Sequence, residues 1–279
     1  MASPFHAVSV SLKDRSTFDR LVFLFLVLFA LSSAFSIALT QIGYFSALIL
    51  WVGMMVYRRE MTWPRTPLDL FFLGYAGAEV LATIFSAYPL YSLNYLQRRL
   101  LLLPIVYVLV AHVRSMNDAK VLLAALVASG TGVALYSLFP LFAHLSEYLR
   151  FNTRLGEFQI YMTAGGIQMI ALLLLTALVT HKETPRKVRI IVGLCMLPVV
   201  INLLFTFTRS AWLGMMVGVI VIAVYRSPRL LIGLLVFVAL VYFTSTPEIR
   251  EARFLALVDP HHPYNLTRLQ MWGTGWRCF

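Results

Sequence analysis

Long apolar runs recur from residue 21 to residue 244 of this chain, separated by short segments that carry nearly all of its charge. The runs are continuous and rich in Leu, Val and Ile, without the polar alternation of a half-buried strand. In a bilayer every backbone donor and acceptor must be satisfied within the span, which leaves helices or closed barrels, and runs of this kind fit helices. Composition agrees: 60% of the residues are hydrophobic and 13% charged, far from the makeup of a soluble domain. We therefore expect an all-α, polytopic transmembrane helix bundle of about nine spans. They are Leu21–Leu39, Ile42–Tyr57, Leu68–Phe85, Leu100–Val113, Val121–Phe142, Ile160–Thr180, Ile190–Phe205, Ala211–Tyr225 and Leu230–Thr244. The first two are nearly fused, with a turn expected at Thr40, Gln41 and Gly43. The fourth is short and is expected to borrow Tyr95 and Leu96 or to lie tilted. Residues 1–245 form the helical domain on this reading, and residues 246–279 the start of an outer region.

Lysine and arginine set the orientation. With the N-terminus in the cytoplasm, fourteen basic residues fall inside, among them Arg20, Arg58, Arg59, Arg65, Arg114, Arg226 and Arg229, and nine fall outside. The bias predicts an N-terminus inside and a C-terminus outside. Every lysine (Lys13, Lys120, Lys182, Lys187) falls inside, whereas the outer cations are all arginine. Arginine grips phosphate through a planar fork and lysine only as a point charge. The net charge of +11 is mostly this topological bias, and no soluble basic domain exists to hold a nucleic acid. The first run resembles a signal peptide, with Ser32-Ser33-Ala34 as a cleavage-like site, but the further spans favour an uncleaved anchor. Cys195 and Cys278 make neither a disulfide framework nor a metal pattern.

Arg209 is the most constrained charge. It lies in Thr206-Phe207-Thr208-Arg209-Ser210-Ala211-Trp212, between two spans with almost no loop. A cation there is costly without a task. Two readings stand side by side. One is an anion site for a lipid-linked phosphate or diphosphate, with Thr206, Thr208 and Ser210 adding hydroxyl hydrogen bonds. The other is a snorkelling arginine on a helix hairpin, with Trp212 as interface anchor. Arg98 and Arg99 form a second outer pair; adjacent helical residues diverge by about 100°, so one of them at most faces a shared cavity. Arg150 and Arg154 share a face if Leu145–Leu155 is helical, and either an anion or Glu147 and Glu157 relieve their repulsion. Glu79 lies inside the third span and calls for a partner, an outer arginine by preference over a proton relay. His144, His261 and His262 are outer histidines without a pattern that marks a base. In the tail, Glu248–Leu257 and Asn265–Trp276 read as helical starts, and Asn265-Leu266-Thr267 fits a glycosylation sequon, a short pattern that often arises by accident.

The stretch from Leu203 through Thr208-Arg209-Ser210-Ala211-Trp212 to Gly214 resembles the signature of the bacterial O-antigen ligase/polymerase family, which joins two spans on the periplasmic side. Arg154-Leu155-Gly156-Glu157-Phe158 is similar to the family's other arginine-bearing loop, and Asn265, Arg268, Leu269 and Trp272 resemble the start of its large periplasmic region. The resemblance implies a multi-pass protein of the bacterial inner membrane. It implies a glycosyltransferase, independent of metal and cofactor, that moves a glycan from undecaprenyl diphosphate to an acceptor hydroxyl on lipid A core, a growing polysaccharide or a protein. By matching, Arg209 and Arg154 bind the diphosphate; Thr208, Ser210, Arg150 and Arg99 are the supporting candidates that the reading of the residues adds. The family's periplasmic histidine base has no match before Phe279, so the chain is expected to be a truncated form that does not turn substrate over alone. The competing classes are a polysaccharide or lipid-linked sugar transporter or flippase, which calls for two repeated halves with broken helices, and a non-catalytic membrane remnant.

Overall fold

The computed structural model describes residues 16–59, 63–147, 155, 158–244 and 263–277. Helices account for nearly all of them, and no strand occurs among them. In chain order they are α1 (Thr17–Ser32), α2 (Ile37–Arg58), α3 (Asp69–Ile84), α4 (Pro89–Leu100), α5 (Pro104–His112), α6 (Met116–Ala143), α7 (Tyr161–Thr180), α8 (Arg186–Phe205), α9 (Arg209–Arg226), α10 (Arg229–Thr244) and α11 (Pro263–Arg277). Among the described residues six helical segments are long and apolar enough to cross a membrane: Ile37–Arg58, Pro89–His112, Met116–Ala143, Tyr161–Thr180, Arg186–Phe205 and Arg209–Arg226. The expected nine included α1 and α3, which are sixteen residues each and thus about 24 Å long at 1.5 Å per residue, short of a ~30 Å hydrocarbon core. The ninth expected span corresponds to α10, another shorter apolar helix.

Two boundaries differ from the sequence expectation. The break between the first two helices falls at Ser33–Phe35, not at Thr40–Gly43. Ser36 caps α2, its hydroxyl accepting from Leu39 N at 3.2 Å. Gly43 lies inside α2 and is buried. A Cβ there would come within 2.8 Å of Phe29 N and 3.0 Å of Phe25 O. The glycine is a close-approach contact between α1 and α2 rather than a turn. The fourth span starts at Pro89 and is interrupted at Leu101–Leu103. Pro104 has no N–H for an intrahelical bond, so the chain restarts there as α5. Tyr44 OH donates to the freed Leu101 carbonyl.

The chain divides into two compact units, residues 1–126 and 127–279, with the boundary inside α6. The core of the first unit is Val22, Leu26, Ala47, Trp51 and Val108. Beside it α3 has no buried residue, and Leu70, Phe71 and Leu73 on that helix are 71–77% exposed. An apolar surface of that extent needs lipid, not water, as its solvent. In the second unit α7 packs on both α8 and α9. Their shared core holds Leu172, Leu175, Val199, Leu203, Phe207, Trp212, Met215 and Val219, with Ala134 of α6.

Candidate functional site at the α8–α9 hairpin

The two helices that flank Arg209 are joined by three residues, and each is fixed by the main chain. At the end of α8 the Leu203 carbonyl accepts from Thr206 Oγ1 at 2.7 Å and from Trp212 Nε1 at 3.1 Å. Carbonyls in the last turn of a helix have no partner within it, so these side chains close the end of α8. Phe207 then takes φ 48°, the left-handed conformation in which a bulky residue costs roughly 1–2 kcal/mol. Its ring is buried in the shared core and 6.3 Å from that of Trp212, which offsets that strain. Thr208 returns to extended backbone and starts α9, its carbonyl accepting from Ala211 N at 3.0 Å and Trp212 N at 3.1 Å.

A second layer comes from α7 and the segment before it. Thr208 Oγ1 donates to the Tyr161 carbonyl at 3.1 Å. Gly165, buried on α7, faces the hairpin so closely that a Cβ would lie 3.0 Å from Thr208 Cβ and 3.1 Å from Thr206 Oγ1. Leu155 N donates to the Phe205 carbonyl at 3.0 Å, and the Leu155 side chain is buried. Leu155 is therefore tied to the end of α8.

Arg209 occupies the first position of α9 and is half-buried, while Ser210 beside it is exposed. The N-terminal end of a helix carries a partial positive charge that disfavours a cation and favours an anion. Trp212 is 4% exposed with its indole N–H bonded inside the unit. It is a core residue, so the interface-anchor part of the snorkelling alternative does not hold. Thr206 and Thr208 are buried, and their hydroxyl protons go to main-chain carbonyls. Both act on the shape of the turn.

The other candidates are distributed as follows. Arg99 lies in the first unit, where Nη1 donates to Glu79 Oε1 at 2.6 Å and Oε2 at 2.8 Å. That pair gives Glu79 the arginine partner the sequence called for, and leaves a proton relay without its unpaired acid. His144 Nδ1 lies 3.7 Å from Glu147 Oε1, with both side chains exposed. Arg150, Arg154, Glu157, His261 and His262 lie outside the described residues, as does the Glu248–Leu257 segment. Asn265–Trp276 falls within α11. Among the described residues no group of three or more His, Cys, Asp and Glu is placed to hold a metal ion.

Sequence reasoning missed Gly165, the Leu155–Phe205 bond and the Trp212–Leu203 bond. The adjacent pair Gly165-Gly166 inside a span was the available signal for a close contact. No family model, curated protein or solved structure matches the chain.

Proposed function

We propose that this protein is an O-antigen ligase/polymerase-like glycosyltransferase of the bacterial inner membrane, with its N-terminus in the cytoplasm and the α8–α9 hairpin on the periplasmic face. Its donor is a glycan on undecaprenyl diphosphate and its acceptor a hydroxyl of lipid A core or of a growing polysaccharide. The observation that carries the proposal is Arg209 on a rigid turn. It is half-buried at the first position of α9, a helix end that favours an anion, and its guanidinium offers a planar fork to phosphate. The Leu155–Phe205 bond braces the same turn from a second segment of the chain.

In the reaction the bond between the sugar anomeric carbon and the diphosphate oxygen breaks. The acceptor oxygen bonds to that carbon, its proton passes to a base, and undecaprenyl diphosphate leaves as the anion. Fixed guanidinium donors stabilise charge as it grows on the leaving oxygen, and a turn that does not reorganise makes them more effective. The test is binding of undecaprenyl diphosphate to the purified chain in nanodiscs. The proposal requires that Arg209→Ala weaken binding strongly and that Arg209→Lys restore it only in part. Equal binding by the wild type and Arg209→Ala would sink it.

A further inference from the structure

A cavity of about 310 Å³ opens in the first unit, lined in part by Trp51, Met54, Arg58, Trp63, His112 and Arg114. That volume lies within the ~300–1,000 Å³ typical of small-ligand sites. One wall is aromatic. Trp63 stands with its ring 5.2 Å from Trp51 and 5.0 Å from Tyr107, and Trp51 is buried in the core of the unit.

The lining also carries Arg58, Arg114 and His112, each placed by a local motif. Arg58 sits in the last turn of α2, where the helix dipole favours positive charge. The chain leaves that helix through Arg59 in the left-handed conformation, whose N–H donates to the Val56 carbonyl at 3.2 Å. Arg114 precedes a reciprocal cap at the start of α6. There Ser115 Oγ accepts from Asp118 N at 3.2 Å, and Asp118 Oδ2 accepts from Arg114 N and Ser115 N at 2.9 Å each. His112 Nδ1 donates to the Val108 carbonyl at 3.0 Å, which leaves Nε2 facing Asp19 Oδ1 at 3.7 Å.

Among the described residues the lining holds two arginines and no carboxylate. Asp19 is shared, with Oδ1 toward His112 and Oδ2 3.4 Å from Arg114 Nη2. Among the described residues no carboxylate forms an ion pair with Arg58. Two arginines therefore line a pocket with an aromatic wall, and Arg114 shares Asp19 with His112. Planar forks of this kind match the oxygens of a phosphate group. The pocket also lies where α2 and α5 end, the depth at which tryptophan and lipid headgroups meet.

We propose that this cavity binds a phosphate group, gripped by Arg58 and Arg114 and packed against Trp51 and Trp63, supplied by an acidic lipid headgroup or as free phosphate. The site is independent of the diphosphate site assigned to Arg209. It is tested by the thermal unfolding of the full chain in detergent, titrated separately with short-chain phosphatidylglycerol, short-chain phosphatidylcholine and inorganic phosphate. A ligand that binds the folded state raises the midpoint. The expected result is a rise with phosphatidylglycerol at concentrations where phosphatidylcholine gives none. Arg58→Gln and Arg114→Gln each raise the half-saturating concentration by on the order of tenfold. Arg59→Gln, whose side chain does not line the cavity, leaves it unchanged. Arg58 is exposed, so its replacement removes little packing, and the unliganded midpoint checks that the variant is folded. An equal, Arg58-dependent shift with inorganic phosphate identifies free phosphate as the ligand; a shift with phosphatidylglycerol alone identifies the lipid. Equal shifts with the two lipids, no shift with any probe, or an Arg58→Gln titration that overlays the wild type each overturn the proposal.

Discussion

Arg99 and Arg209 both lie beside apolar helices, and their surroundings are opposite in kind. Arg99 is in the last turn of α4, where the helix dipole favours a cation, and its guanidinium is bonded to both oxygens of Glu79. Arg209 is at the first position of α9, where the dipole opposes it. The turn that carries it is held by buried hydroxyls, a left-handed phenylalanine and a close glycine contact. Strain and order concentrated under one charge are what positioning an external anion requires. The first arginine closes its helix beside a carboxylate. The second opens its helix against the dipole, on a braced turn.

The largest expected effect would break that contrast most directly. Arg209→Ala is expected to lower affinity for undecaprenyl diphosphate by on the order of 10–10², the equivalent of a hydrogen bond to a charged group. Arg99→Ala is expected to leave that affinity unchanged. Titration of the lipid against both variants in nanodiscs measures it. Equal losses would mean that the two arginines serve one ligand.

A smaller effect concerns the support beneath the turn. Gly165→Val is expected to destabilise by about 1–3 kcal/mol, because the added carbons meet Thr206 and Thr208, both buried in a packed hairpin. Its neighbour is the control: a Cβ on Gly166 meets nothing within 4 Å, so Gly166→Val is expected to change far less. Unfolding midpoints in detergent compare the two. Near-equal midpoints would show that the turn yields easily and that Arg209 is not rigidly held.

Thr208→Val is nearly isosteric and removes the hydroxyl that donates to Tyr161 O. It is expected to cost about 0.5–1.5 kcal/mol of stability and to weaken diphosphate binding far less than Arg209→Ala. A loss of affinity as large as that for Arg209→Ala would place the hydroxyl on the ligand instead of on the turn.

The helical class was legible because bilayer spans are written as long apolar runs, and Arg209 was legible because a charge in such a place is rare. Glu79 also announced its need for a partner. The supporting layer was not legible. Thr206, Thr208 and Trp212 carry polar atoms that suit a ligand or a carbonyl equally well, and only tertiary structure decides which. Gly43 and Gly165 illustrate the same limit. A glycine in an apolar run reads as a turn or as a contact, and the partner that decides between them, Phe29 or Thr208, lies on another element. The break at Leu101–Leu103 was foreshadowed by Pro104, but the length of the run outweighed it in defining the span.

The smallest effect belongs to the matched pair. Arg99 is 56% exposed at its side chain and Glu79 19%, and both bonds come from a single nitrogen, Nη1. Half-exposed pairs of this kind contribute little to stability, because the ions are only partly desolvated and the long side chains lose freedom in holding one geometry. Glu79→Gln is thus expected to shift the unfolding midpoint less than Gly165→Val and to leave diphosphate binding unaffected. The glutamine carbonyl still accepts from Nη1, so the arginine keeps a partner although the charge pair is gone. A drop larger than that of Gly165→Val would mean that lipid, rather than water, surrounds the pair and makes it strong, as loss of one partner of a desolvated pair does. The same variant separates the two functional classes. A transporter that used Glu79 as a proton relay would lose proton-driven uptake in reconstituted vesicles, whereas a glycosyltransferase centred on Arg209 is indifferent to the change.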